Sequence, residues 1–172
     1  AVDLSWSPNG KYLCVWDTML HFKVSIYSPK GELLREYVAY ENALGVKKVN
    51  WSPNSQFLAI GSYDNVVRIM DLISLQVVSE FKHQPLITQN EASIFREVAV
   101  TDDKTPDGFF EETKYDIWRA PLQLKSLPIQ YDRPNPQTGI GLMEFSPSGR
   151  FIFSRSDHLP CVLFIWDLQK LD

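Results

Sequence analysis

The stretch Trp6-Ser7-Pro8-Asn9-Gly10-Lys11-Tyr12-Leu13 returns 45 residues later as Trp51-Ser52-Pro53-Asn54-Ser55-Gln56-Phe57-Leu58. It returns once more as Phe145-Ser146-Pro147-Ser148-Gly149-Arg150-Phe151-Ile152. Each copy reads as strand, tight turn, strand. Ser accepts at the first turn position, Pro presets φ at the second, Asn tolerates the third and Gly closes a type I turn. The aromatic residue before the turn and the apolar pair after it suit packing between neighbouring sheets. Burying each such side chain stabilises by roughly 1.5–3 kcal/mol.

A second marker lies downstream of each head. Val24 to Ser28, Val67 to Asp71 and Leu163 to Asp167 are apolar or alternating runs that stop abruptly. They read as third strands, and Trp166-Asp167 is the one literal Trp-Asp pair at that position. Trp16-Asp17 comes ten residues too early and belongs to the end of a second strand. A polar turn and a fourth strand follow in Leu33 to Val38 and in Leu75 to Phe81. Four short strands in a period of about 45 residues specify an all-β fold of WD-repeat β-propeller type. One such unit cannot bury its own faces, so units stack around a ring.

The heads at Trp51 and Phe145 are 94 residues apart, about two periods. Met70 to Trp118 and Trp118 to Trp166 are each 48 residues, which puts Trp118 in a Trp-Asp position. Ser93 to Val100 alternates with period two, as a second strand does. Residues 84–130 therefore read as a degenerate blade without a head, the rival being a plain hairpin insertion. The expected blades are about 1–39, 40–83, 84–130 and 131–172, a partial ring whose last unit lacks a fourth strand. Rings of this kind have about four to eight blades, so the expectation is a portion of a longer ring.

Charge is unevenly placed. Residues 101–116 carry six acids against two lysines, a net −4 that equals the charge of the whole chain. With no basic stripe, a nucleic-acid platform is disfavoured. No run of about 18 apolar residues is present, so no spanning helix is expected. Cys14 and Cys161 are not expected to pair, which fits a reducing compartment. The three histidines have no metal-ligand spacing, and there is no phosphate loop, dinucleotide fingerprint or nucleophile elbow. No catalytic residue, metal or cofactor is assigned.

Candidate binding residues come from loops on one end of the ring. The turn after each second strand supplies Trp16 and His21, then Tyr63, then Arg155 and His158; the connections between blades add Tyr40. In the acidic loop, 101–113, Phe109-Phe110 form a possible pair of aromatic anchors inside an acidic rim. Its plainer reading is a solvated insertion whose phenylalanines fold back. Asp64 and its counterparts are expected to cap their own turns. His83 is expected to be a hydrogen-bonded strand-end residue. Gly139-Ile140-Gly141 lacks a third glycine and is expected to allow close packing.

Several segments carry a more specific likeness. They are Tyr12 to Thr18, with Trp16-Asp17-Thr18, Ala39-Tyr40-Glu41, and Ser55 to Ala59 followed by Gly61-Ser62-Tyr63-Asp64. Asn135-Pro136 with Gly139-Ile140-Gly141, and Ile165 to Leu171, belong to the same set. Together they resemble the WD-repeat-containing protein eight family over nearly the whole chain, least over about 86–113. The resemblance implies a non-enzymatic scaffold at the centrosome or spindle pole body. It implies a coiled-coil anchoring partner, a minus-end-directed kinesin in fungi, and tethering of microtubule minus ends. It assigns no binding residues. The alternative function is a reader of a charged or modified peptide at the propeller channel.

Overall fold

The computed structural model describes residues 3–17, 19–88, 92–100, 112–129, 132, 134 and 136–170. The described residues are strands and turns, with one short 3-10 turn at Leu168–Lys170. The chain divides into two compact units, one made of 1–84 with 126–172 and the other of 85–125.

The first unit holds three antiparallel meanders. One sheet runs β1 (Asp3–Trp6), β2 (Leu13–Trp16), β3 (Val24–Tyr27) and β4 (Leu33–Tyr37) in chain order. The next repeats this with β5 (Val46–Trp51), β6 (Phe57–Ser62), β7 (Val66–Asp71) and β8 (Gln76–Lys82).

In the second unit, β9 (Leu86–Ile87) pairs with β12 (Leu122–Gln123), and β10 (Ile94–Val100) with β11 (Glu112–Trp118). The last sheet, in the first unit, is β13 (Ile140–Phe145), β14 (Phe151–Ser156) and β15 (Phe164–Asp167).

The three heads fold alike, as their shared sequence requires. Gly10, Ser55 and Gly149 donate their backbone N–H to Ser7, Ser52 and Ser146 carbonyls at 2.8–2.9 Å. Each serine hydroxyl then accepts the N–H of the residue that resumes the strand: Tyr12 at 3.0 Å, Phe57 at 2.8 Å and Phe151 at 3.0 Å. The turns end in left-handed backbone at Gly10, Ser55 and Gly149, with φ of 68°, 57° and 72°. Glycine adopts that conformation freely and serine does not.

The core lies between sheets. Cys14, Phe22, Val24 and Ile26 of the first sheet meet Trp51, Leu58, Ile60 and Met70 of the second. Ala59, Val67 and Ile69 of the second meet Ile140, Met143 and Ile152 of the last. Polar ties cross the same boundaries. The Trp51 indole donates to Ser5 at 3.1 Å, and Asn50 Nδ2 donates to the Met143 carbonyl at 3.1 Å. The Phe81 and Trp166 rings stack at 4.6 Å.

The β5–β8 sheet therefore packs directly against the β13–β15 sheet. Residues 85–125, expected to form a degenerate blade, instead show nested pairing. Leu122 opposes Ile87 and, further along, Ile117 opposes Phe95 and Tyr115 opposes Glu97. The two pairings nest as in a hairpin, with the register shifted by three residues between them. The blade sheets are three among the described residues, and the expected boundary 84–130 encloses the hairpin. Both cysteines are free thiols, Cys14 buried and Cys161 exposed.

Candidate functional site

One end of the three-sheet unit is a knot of loops tied to one another. Gly45 donates to the Met19 carbonyl at 2.6 Å, Tyr63 to Gly45 at 3.1 Å, His83 to Asn65 at 2.9 Å and Asp157 to Gly139 at 2.9 Å. These bonds join the turns after the second strands to the connections between sheets, as the sequence reading places them. Asn65 is the hub: its Nδ2 donates to Thr138 Oγ1 at 3.1 Å, while its Oδ1 accepts the Gly139 N–H at 2.8 Å and the Ser156 hydroxyl at 2.6 Å.

The glycines are dictated by closeness. At Gly139, φ is +83° and a Cβ would stand 2.6 Å from Tyr63 Cα. A Cβ at Gly141 would overlap the Asp157 carboxylate. Both match the expected close packing.

Asp64 caps its turn, accepting Val66 N at 3.2 Å and the Ser62 hydroxyl. It also accepts Arg68 Nη2 at 2.6 Å. Arg68 is buried, donates to Ser62 at 2.8 Å and to Glu80 at 3.1 Å, and lies 5.3 Å from the Phe22 ring. Asp157 reaches across a sheet boundary to Lys47 Nζ at 2.5 Å, and Lys47 also donates to the Thr138 carbonyl at 2.7 Å.

The candidate residues take up different positions. Trp16 and Tyr63, half-buried, line one cavity of about 710 Å³ between β1 and β5. Burial, and after it the Asp157 carboxylate, push the Tyr63 phenol above the usual tyrosine range. Tyr40 turns inward: its hydroxyl donates to Leu44 O at 2.6 Å and its ring packs on Phe22 at 5.0 Å. Burial pushes its phenol up to about 12.

His21 is exposed on the turn after β2. Arg155 lies within β14, opposite Leu142, rather than in the following loop. His158 is buried, with Nδ1 at 2.7 Å from Ser156 Oγ and 3.1 Å from Asn65 Oδ1. Phe109 and Phe110 lie outside the described residues.

Of the cavity's other lining residues, Asp17 belongs to the turn that sequence marks, whereas Asp3, Met19, Val46, Lys47 and Lys48 are not marked by sequence. The Lys47-Lys48 pair between Val46 and Val49, at the start of an inner strand, is the signal that could have found the lysines.

Two serine–histidine contacts resemble pieces of a hydrolytic site. His83 Nε2 lies 2.7 Å from Ser154 Oγ, and His158 Nδ1 lies near Ser156. Both serines are fully buried, and the Trp166 indole donates to Ser154 Oγ at 2.8 Å. A nucleophile so enclosed cannot meet a substrate, so these contacts are packing chemistry. Among the described residues no group of three or more His, Cys, Asp or Glu side chains could hold a metal ion.

The comparisons agree with this architecture. Residues 23–91 match the family model described as the anaphase-promoting complex subunit 4 WD40 domain. The chain is built of WD repeats. It is 39% identical over 181 residues to the WD repeat-containing protein WRAP73 of Mus musculus, an alignment covering 98% of the chain and 39% of that protein. It is 25% identical over 171 residues to an uncharacterised WD repeat-containing protein of Schizosaccharomyces pombe, covering 97% of the chain and 32% of the relative. The chain thus spans less than two fifths of either curated relative.

Proposed function

We propose that these repeats form part of a non-enzymatic scaffold that binds protein partners and works in anchoring microtubule minus ends at the centrosome or spindle pole. The observation that carries the scaffold reading is the interlocked loop end. Asn65, Thr138, Gly139 and Ser156 fix loops from two neighbouring sheets by direct bonds, so the end is a rigid, shaped surface. Preordered loops lose little entropy on binding, which favours recognition of another protein. The finer reading is supported by the residue likeness around Trp16-Asp17-Thr18 and Gly139-Ile140-Gly141. In this reading the partners are a coiled-coil anchoring protein and a minus-end-directed kinesin.

The test is to tag the intact protein in dividing cells of its source, follow it through mitosis and identify co-purifying proteins. Focused signal at the poles, with a coiled-coil protein recovered, is the expected result. Diffuse signal throughout division, with neither class of partner recovered, would overturn the pole assignment.

A further inference from the structure

The β10–β11 hairpin pairs two strands of 7 residues each, and among the described residues no third strand joins it. A two-stranded hairpin is marginal in water until another element packs on it. Its two faces differ. The register Phe95↔Ile117 and Glu97↔Tyr115 puts these four side chains on one face. Arg96, Lys114, Asp116 and Trp118 lie on the other, where Arg96 stands opposite Asp116 and covers the Trp118 ring at 4.7 Å. The first face has no such cover: Phe95 is 63% exposed, Tyr115 65% and Ile117 73%.

One charge sits among these apolar side chains. Glu97 lies opposite Tyr115, and among the described residues its carboxylate makes no ion pair. A layer that covers the face takes Glu97 out of water, which is costly unless the layer brings a cation. The residues that link the two strands, 101–111, add four acids against one lysine, the same sign as Glu97.

A strand adds to the edge of a hairpin through backbone bonds. What is bare here is a face of side chains, and a sheet face is covered by a second layer. Two strands about 4.8 Å apart, with their side chains, are about as wide as one helix of 10–12 Å, and seven residues of strand run about as far as four helical turns. We infer that the face formed by Phe95, Tyr115 and Ile117 docks a basic amphipathic helix of a partner protein, its apolar stripe on these three side chains and a lysine or arginine beside the stripe on Glu97. Aromatic anchors gathered round a single charge are the kind of cluster that carries most of an interface's affinity. The inference rests on the scaffold reading and names the partner's chemistry.

The probe is a fluorescein-labelled peptide of three Leu-Lys-Ala-Leu-Lys-Ala-Lys heptads, compared with its counterpart in which every lysine is glutamate. Fluorescence anisotropy is read on the intact protein. The basic peptide is expected to bind about tenfold or more tightly than the acidic one. Phe95→Ser with Tyr115→Ser and Ile117→Ser should weaken it about tenfold or more. Glu97→Lys, which leaves the apolar side chains in place, should cut the preference for the basic peptide about threefold or more. Equal affinity for the two peptides, no binding of either, or full basic binding in either variant overturns the inference. If circular dichroism shows the triple variant unfolded, Glu97→Lys alone decides. Tighter binding of a strand-forming Lys-Val-Lys-Ile-Lys-Val-Lys peptide, or a dimer in sedimentation velocity that the triple change dissolves, overturns it in favour of a strand or a second copy. Localisation of the intact protein is a separate readout. Polar signal without peptide binding rejects the docking face alone, and peptide binding without polar signal rejects the pole alone.

Discussion

His83 Nε2 lies 2.7 Å from Ser154 Oγ, tying the end of β8 to the middle of β14. His83 Nδ1 faces the Asn65 carbonyl at 3.2 Å and is placed to donate to it, so Nε2 is the acceptor for the serine hydroxyl. That arrangement requires a neutral ring. Burial is the main reason the imidazole is pushed down to about 4, and nearby His158 lowers it further.

The consequence is a defined pH dependence. In the unfolded chain the same ring titrates near 6.5. A folded value below the unfolded one means that the unfolded state binds the proton more readily. The stabilisation is therefore full above pH 6.5 and is lost as pH falls from 6.5 towards 4. The gap corresponds to roughly 3 kcal/mol. His158, also lowered by burial, acts in the same direction. Urea unfolding between pH 4 and 7.5 should show this slope, and His83→Gln should flatten most of it. A slope that His83→Gln leaves untouched would assign it elsewhere.

Arg68 should be the least replaceable charge in the described fold. Its guanidinium serves Ser62, Asp64 and Glu80 together, beneath the Phe22 and Tyr40 rings. Asp64 and Glu80 keep partial access to water, so removing Arg68 costs less than leaving a fully buried ion. Arg68→Leu is expected to destabilise by about 2–4 kcal/mol. Arg68→Lys should recover less than half of this, because an ammonium cannot span the three acceptors. Denaturant midpoints of the two variants check the order.

The turns of the repeat were legible because a short motif determines them locally. A Ser-Pro turn of this kind specifies its own hydrogen bonds, and the structure shows them at Ser7, Ser52 and Ser146. His83 was legible as well, since a polar ring at a strand end needs partners wherever the chain goes. Arg68 was not legible, because alternation marks β7 as a strand without saying which neighbour it faces. The 85–125 segment misled for a related reason. A hairpin and a blade share period-two alternation, and spacing alone cannot tell nested pairing from a meander. The β1–β5 cavity depends on residues 40 or more positions apart, such as Asp3 and Lys47, whose meeting is set by sheet packing.

Gly139 should tolerate no side chain. Its φ of +83° costs an L-residue about 1–2 kcal/mol, and a Cβ there would stand 2.6 Å from Tyr63 Cα. Gly139→Ala is expected to destabilise by at least about 2 kcal/mol. It should also shift the Tyr63 backbone amide resonance, because the turn after β6 must move to relieve the clash. Unchanged stability with an unchanged Tyr63 resonance would contradict the close approach.

Ser55 offers an internal comparison, because the equivalent residues in the other two turns are glycines. Its φ of 57° is strained for serine, yet its hydroxyl accepts the Asn9 N–H at 3.1 Å across a sheet boundary. Ser55→Ala keeps the strain and loses the bond, and should cost about 1 kcal/mol. Ser55→Gly loses the same bond but relieves about 1 kcal/mol of backbone strain, so it should fall near neutrality. The difference between the two variants isolates the backbone contribution, since both leave Asn9 N without the serine. Urea midpoints separated by about 1 kcal/mol, with glycine the more stable, are the expected result. Equal midpoints would mean that the turn relaxes and that the serine carries no strain.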